Sequence, residues 1–245
     1  MKKAKLLVPV LVLLFVTLAC SFGGVGKEEL ITPTATPTNT PVPEAGIEKS
    51  FYDDFSTSQD AWSDMKMVTS QAKPGQMKTT VKYEDGKMIF EFRDLETYVY
   101  KFFNNRSRSD VVIEAQVLPT GHTSNGMALV CRANSDLTAW YEARLSSTSQ
   151  YWLYRYDAKL REQDQNPYVL IKQGTMPINV FYPAKPNVVR FTCQGNNLKL
   201  ESNGQEVAAT TDGALTEPGL TGIGAMSHEI LPVAIQFDYF SYGQP

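Results

Sequence analysis

Residues 79–92 read TTVKYEDGKMIFEF. Two arms of alternating apolar and polar residues flank Asp85-Gly86, and a period of two belongs to a strand with one buried face. Asp-Gly supplies the positive φ angles of a type I′ turn, so the stretch predicts a β-hairpin. Residues 198–209, LKLESNGQEVAA, repeat the device with Asn203-Gly204. Outward from these hairpins the texture continues through TYVYKFF (97–103), DVVIEAQVL (110–118), GMALVCRA (126–133), TAWYEARL (138–145), QYWLYRYD (150–157), YVLIKQG (168–174), NVVRFTCQ (187–194), GLTGIGAMS (219–227) and VAIQFDYFSY (233–242). No run of a dozen residues shows clean helical periodicity. A single open sheet of so many strands would expose long edges and one large apolar face. The expected fold class is therefore all-β, a two-sheet antiparallel jelly-roll sandwich.

Ahead of the strands the chain changes character. Met-Lys-Lys-Ala-Lys gives a positive start, and residues 6–19, LLVPVLVLLFVTLA, form an apolar run. That run is shorter than the roughly 20 residues of a spanning helix and reads as an export signal. Ala19-Cys20 at its end resembles the lipobox of bacterial lipoproteins, although Thr17 stands where that pattern favours Leu. The resemblance implies that Cys20 is acylated and anchors the protein to the outer face of a bacterial membrane. Ordinary cleavage after Thr17-Leu18-Ala19, leaving a free thiol, is the alternative. Residues 20–50 then carry Gly23, Gly24, Gly26, Pro33, Pro37, Pro41 and Pro43 among threonines, the composition of a disordered Thr/Pro-rich linker. Extended, such a run reaches about 90 Å. The organisation expected is a signal peptide over 1–19, a linker over 20–50 and a β-sandwich domain over 51–243.

Charge narrows the partners. Removing residues 1–19 takes away Lys2, Lys3 and Lys5 and leaves 20 basic against 26 acidic side chains, so nucleic acid is not expected as a partner. The two histidines, His122 and His228, are isolated from other ligand types and read as loop residues. Of three cysteines, Cys20 is assigned to lipid. Cys131 and Cys193 then form the only possible internal pair of an exported domain, with two buried thiols as the alternative. A bridge closing a loop of about 60 residues is worth about 4 kcal/mol by loop entropy.

The order of features, from YDDFSTSQDAW (52–62) through MALVCRANSDLTAWYEARL (127–145) and NVVRFTCQGNNLKLESNGQEV (187–207) to the closing FDYF, resembles the concanavalin A-like jelly-roll domains of bacterial surface lipoproteins, of laminin-G or 3-keto-disaccharide-hydrolase type. This lectin and glucanase architecture implies a fold more firmly than a function. It also implies that the first and last strands pair, which would bring Asp53, Asp54 and Asp238 together as candidate ligands of a calcium ion, a cofactor such domains often hold.

Enzyme chemistry finds no foothold in the residues. The E-x-D-x-x-E strand of laminarinase-type glucanases is missing, and Glu91, Asp94 and Glu96 split between faces where a strand ends, which reads as a solvated edge. No catalytic residue is assigned. Binding is better served. Alternation places Trp140, Glu142 and Arg144 on one face of their strand and Trp152, Tyr154 and Tyr156 on one face of the next. Aromatic faces suit sugar rings, and the charged groups suit hydroxyls. These six are the candidate carbohydrate-binding residues, with core packing the competing role. The function expected is a non-catalytic, membrane-anchored lipoprotein that binds carbohydrate. An adhesion module and a hydrolase acting on 3-keto-disaccharides are the alternatives.

Overall fold

The computed structural model describes residues 49–57, 59–73, 75–121, 125–177 and 179–245. The signal region, Cys20, the linker as far as residue 48, and His122 lie outside the described residues. Fifteen strands follow in chain order among the described residues: β1 (Lys49–Asp53), β2 (Lys66–Thr69), β3 (Thr80–Glu84), β4 (Lys87–Phe92), β5 (Tyr98–Arg108), β6 (Val111–Gly121), β7 (Asn125–Ala133), β8 (Ala139–Ser146), β9 (Gln150–Asp157), β10 (Tyr168–Thr175), β11 (Asn187–Gln194), β12 (Asn197–Ser202), β13 (Gln205–Thr211), β14 (Gly219–Ser227) and β15 (Val233–Gly243). Asp85 and Gly86 adopt φ of +51° and +66° between β3 and β4, and Asn203 and Gly204 adopt +49° and +77° between β12 and β13. Both hairpins turn where left-handed backbone is cheapest.

The strands form two antiparallel sheets. The first runs β13-β12-β11-β6-β15-β4-β3, with β1 beside the far half of β15; the second runs β10-β9-β8-β7-β14-β5-β2. Alternate residues fill the space between them: Met88, Phe90 and Phe92 of β4 and Ile113, Ala115 and Val117 of β6 on one side, Met127 and Leu129 of β7 and Tyr141, Ala143 and Leu145 of β8 on the other. The Cys131–Cys193 disulfide links β7 to β11 and so staples sheet to sheet through this core. Near the start of the domain Trp62 enters the same core against Phe103 and Phe240. Its indole Nε1 donates to the buried Asp53 carboxylate at 2.7 Å, and Phe55 N–H donates to the other oxygen of that group. The opening Asp53…Trp62 pattern is thus a plug for the sandwich.

The second sheet carries apolar side chains on both faces. On its outer face Tyr100, Phe102, Ala128, Val130, Trp140, Tyr156 and Met226 form a separate buried cluster. Such a face needs cover of its own. The chain between β9 and β10 supplies it. A 3-10 helix (Ala158–Gln163) begins on Asp157, whose side chain accepts from Lys159 N–H, and ends on Asp164 in left-handed conformation. Ala158 and Tyr168, at either end of this connection, pack on the cluster, and Arg161 Nη2 donates to Thr69 Oγ1 on β2 at the opposite edge of the sheet.

Candidate functional site

Strand alternation and register gather all six predicted binding residues on that outer face. Tyr141, Ala143 and Leu145 of β8 and Tyr151 and Leu153 of β9 point into the core, leaving Trp140, Glu142, Arg144, Trp152, Tyr154 and Tyr156 on the reverse. Antiparallel pairing sets Trp140 opposite Tyr156, Glu142 opposite Tyr154 and Arg144 opposite Trp152. From the other side β5 brings Tyr98, Tyr100 and Phe102. Tyr100 lies so close over β14 that a Cβ on Gly224 would stand 2.5 Å from its ring, which is why the strand carries glycine there.

The six residues do not share one environment. Trp140 and Tyr156 stack on each other, ring centroids 3.9 Å apart, beneath the β9–β10 connection, and are 0% and 3% exposed. These two therefore correct the expectation of an open stacking platform: their apolar faces already have partners from the chain itself. Glu142 is fully buried, and its oxygens are taken. Oε2 accepts from Tyr100 Oη at 2.8 Å and from Trp140 Nε1 at 3.0 Å; Oε1 accepts from Arg144 Nε at 2.9 Å and Nη2 at 2.5 Å. Because Tyr100 gives its proton to Glu142, the 3.0 Å contact with Tyr168 Oη is one in which Tyr168 donates. Burial first, and the Glu142 charge second, push the Tyr100 hydroxyl well above the usual phenol range, so it stays a donor. The Arg144 guanidinium lies 4.8, 4.9 and 4.6 Å from the ring centres of Tyr98, Tyr154 and Tyr168. It fills an aromatic box that would otherwise be open to an external cation. Glu142 and Arg144 thus organise the face, and a ligand would meet the rings they hold.

The open part lies at the other end. Trp152 and Tyr154 are half-buried, and Trp152 borders a cleft of about 330 Å³ lined also by Glu96, Ser146, Thr148, Gln150, His228 and Glu229. The His228 ring meets Tyr98 edge-on at 5.7 Å, and its Nδ1 lies 3.7 Å from Glu96 Oε2. Burial holds the imidazole below its ordinary value despite the Glu96 charge, which favours the neutral ring with its one donor and one acceptor. Ser146 Oγ and Thr148 Oγ1 are 2.7 Å apart on the facing wall. One indole, two hydroxyls, an amide, an imidazole and two carboxylates converge on a shallow space, a donor set able to orient a polyhydroxyl ligand against an apolar plate.

Glu96 and His228, read from the sequence as a solvated edge residue and a loop residue, both line this cleft. Each is a lone polar residue at a strand end, and only the pairing of β5 with β14, through Ser227 N–H to Thr97 O, sets them side by side. Glu91 and Asp94 take structural roles instead. Glu91 pairs with Lys82 at 3.0 Å, and Asp94 accepts from Lys78 N–H, Thr79 N–H and Thr79 Oγ1. The three carboxylates expected to hold calcium each have partners within the chain. β1 and β15 do pair, yet Asp53 is engaged with Phe55 and Trp62, Asp54 with Ser56, and Asp238 with Lys87. The three carboxylates form no common ligand set and do not fit the ion. Among the described residues no group of three or more His, Cys, Asp or Glu side chains gathers to hold a metal.

Solved structures of known proteins share this architecture. A carbohydrate-binding module from Bacillus subtilis superposes with a TM-score of 0.52 at 15% identity, covering 72% of this chain and 91% of its own. A Bacillus licheniformis beta-glucanase gives 0.56 at 13% identity, covering 82% and 100%. A Bacillus subtilis protein of unknown function with a galectin-like fold gives 0.58 at 12%, covering 80% and 96%. The fold is a concanavalin A-like jelly roll. At such identities the likeness extends to the jelly roll and no further. No family model and no curated protein matches the sequence.

Proposed function

We propose that this protein is a lipoprotein that carries a non-catalytic carbohydrate-binding sandwich at the outer face of a bacterial membrane. The observation that carries the reading is Trp152: a half-buried indole bordering a polar cleft on the outer face of the second sheet, beside an arginine that the chain's own tyrosines and Glu142 hold in place. A module and a glucanase that act on carbohydrate share the fold, which supports the same class of ligand. The reading of binding without cleavage is supported by Glu142, the buried carboxylate of this face, whose two oxygens are committed to three side chains of the chain itself. Cys20 and the proline-threonine run behind it support the anchor.

A glycan array tests the ligand. Wild-type sandwich should retain at least one oligosaccharide, and Trp152→Ala should weaken it about tenfold or more, the equivalent of about 1.4 kcal/mol, without moving the urea midpoint. No binding by the wild type would sink the carbohydrate reading and leave an adhesion role. Intact mass of the membrane-extracted protein tests the anchor: a mature chain starting at Cys20 without diacylglycerol would remove it.

A further inference from the structure

The chemistry of the Trp152 cleft goes beyond binding sugar in general. We infer that it selects oligosaccharides by charge, taking those that carry a protonated amine over neutral ones and neutral ones over those that carry uronate or sulfate, with Glu96 and Glu229 as the selecting residues. The inference rests on the carbohydrate reading and adds the ligand's charge class.

Among the described residues that line the cleft, two are carboxylates and none is lysine or arginine. His228 lies beside Glu96, its Nδ1 3.7 Å from Oε2, and burial outweighs the pull of that carboxylate and holds the imidazole below its ordinary value, which favours the neutral ring. The cation beside the cleft, Arg144, is 6% exposed; its Nε and Nη2 are on Glu142, and three tyrosine rings pack around it. Its shortest hydrogen bonds go to the buried carboxylate beneath the face. A sugar seated on Trp152 meets, among the described lining residues, two carboxylates and no lysine or arginine. Ser146, Thr148 and Gln150 supply neutral hydrogen-bonding groups and leave the balance unchanged. Across a partly wet cleft one ligand charge facing these carboxylates changes Kd about three- to tenfold. An amine and a carboxylate at the same ligand position should therefore differ by about 10- to 100-fold at low salt.

The test starts from the neutral oligosaccharide that the array retains best, compared with the same compound after conversion of its primary hydroxyls to amines and, separately, to carboxylates. Titrations at pH 7.5 in low salt should give the order amine, neutral, acid. In about 1 M NaCl, where the screening length is about 3 Å, the three should converge to within about threefold. The double variant Glu96→Gln, Glu229→Gln should bring its affinities for the three compounds to within about threefold of one another, whatever its affinity for the neutral one. Equal or reversed affinities in the wild type, or an order that the double variant retains, would overturn the charge selection while the sugar binding stands. Failure of the wild type to retain any oligosaccharide would overturn both. The salt titration reads the same property on unaltered protein if the double variant does not fold.

Discussion

Glu142 and Arg144 show how a single buried pair shapes this protein. Two residues apart on one face of β8, they are 0% and 6% exposed, and taking both charges out of water is costly unless each is matched. The match is complete on the carboxylate, with four donor contacts from three side chains. Breaking it on one side should therefore be far worse than removing it whole. Glu142→Leu leaves the guanidinium with aromatic faces and no counter-charge, and should cost about 3–5 kcal/mol in urea unfolding. The double variant Glu142→Leu, Arg144→Met should recover most of that loss, since two apolar side chains suit the surrounding rings. Equal destabilisation by the single and double variants would mean that packing volume, not charge matching, holds the face together. The two tryptophans of the same face divide along this line: Trp140 belongs to the buried network, Trp152 to the cleft.

At the scale of elements, period-two patterning and the two Asx-Gly turns were legible in the sequence, and so was the sharing of one face by Trp140, Glu142, Arg144, Trp152, Tyr154 and Tyr156. Alternation decides such membership by geometry alone. What covers a face is not local. Nothing in AKLREQDQNP tells whether the β9–β10 connection swings away from the sheet or folds back on it, and the answer separates a stacking platform from a second core. β2 escaped for a related reason: KMVT is a short strand whose pairing is defined by β5. Glu96 and His228 required the β5–β14 register. The cover itself is testable. Asp157→Ala removes its N-terminal cap, worth about 0.5–2 kcal/mol, and Arg161→Ala removes its bond to Thr69. In a Trp152→Phe background, where Trp62 and Trp140 are the remaining indoles, the pair of changes should raise acrylamide quenching of the fluorescence with little loss of global stability. Unchanged quenching would mean that the cover holds without its ends.

Across the whole sandwich, carboxylates tie the sheets where strands end, and this makes stability depend on pH in a predictable direction. Asp212, just past β13 of the first sheet, accepts from Tyr141 Oη on β8 of the second at 2.5 Å and pairs with Arg155 of β9 at 3.2 Å. Burial works to raise its pKa, but the bonds from Tyr141 and Ala214 N–H and the Arg155 charge outweigh it and hold the carboxyl below the usual range. Asp94 is held low in the same way. Burial opposes ionisation, and Thr79 Oγ1 with the N–H groups of Lys78 and Thr79 prevails, while Ser227 Oγ of the second sheet donates to the Asp94 backbone carbonyl. A carboxyl whose folded pKa is depressed binds fewer protons in the fold than in the unfolded chain. Its contribution is present above about pH 4 and is lost as pH falls through the folded value. His228 adds a gentler slope of the same sign: its imidazole is also depressed in the fold, by burial first, so stability falls as pH drops below about 6.5. Urea midpoints should accordingly be level from pH 8 to about 6.5, decline slightly to about pH 4 and fall steeply below it. Asp94→Asn with Asp212→Asn should lower the plateau and flatten the acid limb, because the proton-binding difference is gone while the donors keep a partner. An acid limb as steep in that double variant as in the wild type would move the inter-sheet electrostatics to other carboxylates.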